Sequence, residues 1–102
     1  MDQRDAINLA SSYANAVNLK YKIDKIYLFG SYAKGNFNEE SDIDIAVIFK
    51  HYYEASNMQL ELMRFTRKID SRIEPHPFRE SEFEISNPLV YEILKYGKEI
   101  KI

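Results

Sequence analysis

The chain has 102 residues, enough for one hydrophobic core and too few for a core plus a separate substrate-binding domain. Hydrophobic residues make up 45% and charged residues 29%, and the formal net charge is −2, so the basic excess that gives general affinity for nucleic acid or anionic membrane is lacking. There is no cysteine, which excludes disulfides, thiolate metal sites and a cysteine nucleophile. The polar start Met1-Asp2-Gln3-Arg4-Asp5 lacks an apolar signal core, and no apolar run approaches the ~20 residues of a membrane helix, so a cytoplasmic location is expected.

In chain order, Ala6, Ala10, Tyr13 and Val17, flanked by Ile7 and Ala14, repeat at helical spacing and predict a helix over residues 3–19. Lys25-Ile26-Tyr27-Leu28-Phe29 reads as a buried strand ended by Gly30, and residues 31–41 as a loop that opens with a short helical turn. Ile43 to Phe49 is the second strand. Met58, Leu62, Phe65 and Ile69 mark a second long helix, with Ser56 and Gln59 resembling a capping box at its start. Arg72-Ile73-Glu74 predicts a third strand closed off by Pro75 and Pro77. The last helix has Asn87 as its N-cap, Pro88 in the first turn and Gly97 as its stop, and Lys98 to Ile102 can add a short edge strand. This alternation suits an α/β (α+β) domain: a small mixed sheet with helices packed on one face.

Residues 30–44 carry the chemistry. Gly30 follows a strand and lets the backbone turn sharply toward a ligand. Ser31 can offer its hydroxyl and backbone N–H to a phosphate oxygen at the start of the following helical turn. Lys34 and Gly35 close that turn, and Lys34 has the length to reach a phosphate. On their own these residues equally describe a tight turn with Ser31 as a helix cap. Asp42 and Asp44 lie two apart at a strand entrance, so their side chains leave one face. Two carboxylates at ~4 Å repel by about 4 kcal/mol at an effective dielectric of 20. Such a pair calls for solvent, protonation or a cation, and hard oxygen donors suit Mg²⁺. Flanking Ile43 and Ile45 point into a core and fix both aspartates outward.

Glu74 precedes a proline, is therefore extended, and is the candidate third carboxylate if its strand lies beside that of Asp42 and Asp44. A surface glutamate paired with Arg72 is the competing account. His76, between two prolines, can contact a base or phosphate or make an ordinary hydrogen bond. Arg64, Arg67 and Lys68 read as a solvated helix face. The eight tyrosines divide between core and possible interface.

The string Gly30-Ser31-x-Ala33-x-Gly35 followed by Ser41-Asp42-Ile43-Asp44 resembles the signature of the DNA polymerase β-like nucleotidyltransferase superfamily. Within it the chain looks most like the minimal nucleotidyltransferases (MNT), the antitoxins of MNT/HEPN toxin–antitoxin pairs. The segment Ile73-Glu74-Pro75-His76-Pro77-Phe78 resembles what many of these small proteins carry at the third carboxylate. The resemblance covers nearly the whole chain and implies one minimal nucleotidyltransferase domain over residues 1–102. It implies Mg²⁺ held by Asp42, Asp44 and Glu74, which also form the catalytic set. ATP as substrate would be held by Gly30, Ser31, Lys34 and Ser41. Many relatives have aspartate at the third acidic position; glutamate keeps the carboxylate and lengthens its reach.

The activity implied is transfer of AMP to a hydroxyl, in some systems a tyrosine, of a HEPN toxin partner, in a homo- or hetero-oligomer. Two other functions fit the same residues: an antitoxin that neutralises its partner by binding, and a transferase acting on a small molecule such as an antibiotic. The latter lacks an acceptor domain here.

Overall fold

In the computed structural model, which describes residues 1–102, the elements run α1 (Gln3–Asn18), β1 (Lys25–Phe29), α2 (Ser31–Lys34), β2 (Ile43–Phe49), α3 (Ala55–Ile69), β3 (Ile73–Arg79), a 3₁₀ turn (Glu80–Glu82), α4 (Pro88–Tyr96) and β4 (Lys98–Glu99). The four strands form one mixed sheet in the order β3-β2-β1-β4. β1 pairs antiparallel with β2 and β4, while β2 and β3 run parallel and are joined through α3. No helix is long and apolar enough to cross a membrane.

The alternation of β2 divides its side chains between two cores. Ile43, Ile45, Val47 and Phe49 join Ile26 and Leu28 of β1 against α1, α2 and α3, with Ala6, Ala10, Tyr13, Tyr32 and Leu62 in the same cluster. Ala46 and Ile48 instead meet Tyr27, Phe29 and Ile93 on the other side, where Leu89, Phe78 and Phe83 pack. So α4 does not share the face of the other helices, as a one-sided sheet would require. β1 and β2 are apolar on both faces, and the second face needs its own cover.

Three local readings also change. The third strand does not stop at Pro75 and Pro77 but runs through both to Arg79. β3 is an edge strand, and its register with β2 turns alternate residues outward, so the prolines' missing N–H groups remove no ladder bond. The outward carbonyl of Pro75 accepts from Gln59 Nε2 at 3.0 Å. That contact takes Gln59 out of the expected capping box: α3 starts after Glu54, and Ser56 Oγ donates to the Glu54 carboxylate at 3.4 Å. The C-terminal strand is only Lys98–Glu99, continued by one further bond from Ile100 N–H to the Ile26 carbonyl at 2.8 Å.

α1 is fixed at both ends. The Asp2 carboxylate accepts from the Asp5 N–H at 2.9 Å and the Asp5 carboxylate accepts from the Asp2 N–H at 3.1 Å, a reciprocal cap. Its alanines let the helix lie close to its neighbours, and buried Tyr13 donates to the Leu62 carbonyl of α3 at 2.7 Å. Near the C-terminal end, Glu61 of α3 accepts from Lys20 Nζ at 2.8 Å, Tyr21 Oη at 2.6 Å and Arg64 at 2.7 Å. The bonds from Lys20 and Tyr21, above all, hold the Glu61 carboxyl at about 2, below its ordinary 4.5.

Two outcomes are expected from this seam. Tyr13→Phe should lower stability by about 1 kcal/mol, read as a fall of about 4–8 °C in the thermal midpoint. Because the folded-state value of Glu61 is depressed, its contribution is fully present above pH 4.5 and is lost as pH falls through about 2. The difference in urea midpoint between the wild-type chain and Glu61→Gln should therefore shrink across that window.

Candidate active site

The antiparallel register of β1 against β2 sets Phe29 opposite Asp44, and the parallel register of β2 against β3 sets Asp44 opposite Glu74. With neighbouring strands about 4.8 Å apart, the two carboxylates start side by side on the face that α4 covers further along. Asp42, one residue ahead of β2, projects on the same side and is exposed, as is Glu74, while Asp44 is half-buried. The next row down the sheet pairs Ala46 with His76. The small alanine leaves room for the imidazole, which rests edge-on against Phe29 at 5.1 Å and brings Nε2 to 3.4 Å from Asp44 Oδ1.

Gly30 links β1 to α2 at φ 75°, ψ −152°, a conformation open in practice only to glycine. A Cβ there would overlap Asp44 Oδ2 and come within 3.1 Å of its Cγ. The glycine thus serves two purposes: it turns the chain and lets the backbone lie against the carboxylate. α2 is a single turn, capped by Gly30 rather than by Ser31, and closed where Gly35 at φ 88° returns its N–H to the Ser31 carbonyl at 2.9 Å. One turn carries little macrodipole, so what it can offer a phosphate is its free N–H groups and the Ser31 hydroxyl. It is anchored from behind. Tyr32 is buried and stacks on Phe37 at 4.5 Å, and Gln3 Nε2 donates to the Tyr32 carbonyl at 2.8 Å.

The other expected site residues are placed as follows. Ser41 closes the loop before β2, accepting from the Asn38 N–H at 2.9 Å and donating its own N–H to the Asn38 carbonyl at 3.2 Å. Lys34 is ion-paired with Glu92 of α4 and lies over the Tyr96 ring at 5.3 Å. Arg72 does not pair with Glu74: its guanidinium holds Asp70 at 2.6 and 2.9 Å, leaving Glu74 to the site. No three His, Asp or Glu side chains converge closely enough to enclose an ion by themselves. The donor set that is present, two strand-entrance carboxylates beside a phosphate-sized turn, fits Mg²⁺, which takes one or two carboxylates and completes its shell with waters and substrate phosphates.

Two contacts gave no sequence signal. Glu92 lies within an ordinary amphipathic helix, and its role depends on α4 covering the face that carries the aspartates. Gln3 reaches α2 across 29 positions of sequence. The site is an open shelf, with Asp42 and Glu74 both exposed to solvent. The largest cavity, about 630 Å³ and lined by Ala16, Leu19, Lys20, Glu61, Arg64, Phe65 and Lys68, lies between α1 and α3 on the other side of the sheet.

Comparison with known proteins places the chain by its sequence and by its overall fold. Residues 12–102 match the family model described as "Polymerase beta, Nucleotidyltransferase". A protein of Methanocaldococcus jannaschii named "Putative protein adenylyltransferase MJ0141" is 33% identical over 85 residues, 80% of this chain and 83% of that one. A crystal structure of a toxin–antitoxin with AMP-PNP aligns at a TM-score of 0.67 and 26% identity, covering 89% of this chain and 72% of that chain. The complex of tri-AMPylated Shewanella oneidensis HEPN toxin with MNT antitoxin aligns at 0.62 and 25% identity, covering 97% and 71%. The chain belongs to the polymerase β nucleotidyltransferase family. Proteins named as protein adenylyltransferases are among its relatives, and toxin–antitoxin complexes, one of them HEPN toxin with MNT antitoxin, are among its structural neighbours.

Gly30→Ala should destabilise the fold by about 1–3 kcal/mol through its backbone conformation alone. It should also displace Asp44 and weaken nucleotide binding. Adding Asp44→Ala removes the overlap, so thermal melts of the double variant should show less destabilisation than the two single changes summed.

Proposed function

We propose that this chain is a cytoplasmic, Mg²⁺-dependent protein adenylyltransferase that moves AMP from ATP to a hydroxyl, a tyrosine by preference, on a HEPN-type toxin partner, which it thereby neutralises. The observation that supports the reading is the close approach of the Gly30 backbone to the Asp44 carboxylate, as expected where a phosphate-binding turn stands beside a cation-binding group. The relative named as a protein adenylyltransferase and the AMPylated toxin–MNT complex support this choice of reaction and acceptor. The exposure of Asp42 and Glu74 supports an acceptor carried on another protein, because both carboxylates are reachable from outside.

In this reading Gly30 and Ser31 hold the β- and γ-phosphates through backbone N–H groups and the Ser31 hydroxyl. Asp42 and Asp44 would hold Mg²⁺, which would supply neutralisation of the triphosphate charge. Glu74, level with Asp44, either completes the ion's ligands or accepts the proton of the incoming hydroxyl. The acceptor oxygen forms a bond to the α-phosphorus as the bond to the pyrophosphate oxygen breaks. The rate enhancement comes chiefly from positioning and charge neutralisation.

Intact-mass spectrometry of the partner after incubation with this protein, ATP and Mg²⁺ should show one or more added AMP units. Asp42→Asn or Asp44→Asn should abolish the addition without lowering the thermal midpoint. Transfer retained in the purified double substitution overturns the assignment. An unmodified partner still neutralised within a stable complex would identify the chain as an antitoxin that acts by contact.

A further inference from the structure

We propose that Glu92 of α4 is a competitor for Lys34, so that binding of the triphosphate exchanges one anion for another on the same ammonium group. The inference rests on the reading above that the Gly30–Ser31 turn receives the phosphates. Lys34 is four residues beyond Gly30 on the single turn of α2, and its N–H donates to the Gly30 carbonyl at 3.1 Å. Positions four apart lie on one side of a turn, and helical side chains lean toward the N-terminus, so Lys34 is built to lean back over Gly30 and Asp44. Instead its ammonium is ion-paired with Glu92 and lies over the Tyr96 ring at 5.3 Å. α4 packs on the same sheet face as Asp44, through Ile93 and Leu89. Glu92 and Asp44 are therefore anions on one face of the sheet, and Glu92 holds the Lys34 ammonium.

Both partners keep a third of their side-chain surface exposed, so the pair is a weak bond that a multiply charged phosphate can displace. The Tyr96 ring gives the released ammonium a surface to pivot on rather than a second counter-ion. Glu92 is in this sense a positioning residue. It parks Lys34 and ties α2 to α4 while the site is empty, and it sets a ceiling on nucleotide affinity.

The test is calorimetric binding of AMP-PNP with Mg²⁺ to the full chain and to Glu92→Gln, Lys34→Ala and the double variant. Glu92→Gln should bind about 1.5- to 5-fold more tightly, the range that an exposed ion pair of this kind is worth, with its thermal midpoint nearly unchanged. Lys34→Ala should bind more weakly, and in that background Glu92→Gln should bring no gain. A gain in affinity is a result that loss of folding cannot produce. Equal or weaker binding by Glu92→Gln, beside a wild-type chain that binds, overturns the exchange and leaves the proposed function standing. A gain that persists without Lys34 also overturns it, since Glu92 would then act on the phosphates directly. A wild-type chain that fails to bind AMP-PNP at all overturns both.

Discussion

The register between β1 and β2 is the constraint on which the active end of the molecule depends. It places Phe29 level with Asp44, so the next residue, Gly30, must turn directly above a carboxylate. A slip of one residue would invert every β2 side chain, sending Asp44 into the core of α1 and α3 and the isoleucines onto the open shelf. Burial forbids that slip, because Ile43, Ile45 and Val47 are all fully enclosed. The geometry of the proposed site is thus enforced by the hydrophobic effect acting on buried residues beneath it.

The same alternation ties the second core to the chemistry. The residues that share a face with Asp44 further along the sheet, Ala46 and Ile48, are apolar and need cover, which α4 supplies. By lying there, α4 brings Glu92 and Tyr96 to the side of α2 and reaches Lys34. Position and charge are set together: the helix required by packing is also the helix that adds an anion beside Lys34.

How far the sequence could be read follows from which interactions are local. Both long helices, β1, β2 and the Gly–Ser turn were legible because periodicity, glycine placement and the Asp-x-Asp spacing are properties of short windows. Glu74 could be placed at a strand end from its proline alone, but its level with Asp44 required the parallel register. The prolines misled, since proline stops a strand only where its N–H is needed, and edge position cannot be read from the string Glu74-Pro75-His76-Pro77. The face chosen by α4 was hidden for a similar reason: a strand buried on both sides does not say which helix covers which side. The Lys34–Glu92 pair and the reach of Gln3 to Tyr32 are products of three-dimensional proximity, with no counterpart in spacing.

Consider lastly the outer border of β3. Its outward-facing backbone positions include Pro75 and Pro77, and the Pro75 carbonyl is already taken by Gln59. A foreign strand laid along this border would find no N–H donors at two successive outward positions, so the sheet cannot be extended there. A molecule approaching Glu74 from that side must engage it through side chains, presented from a helix or a loop. The two prolines thus act as a filter on the shape of what may come near the carboxylates, and they also keep an apolar sheet from joining edge to edge with its own copies.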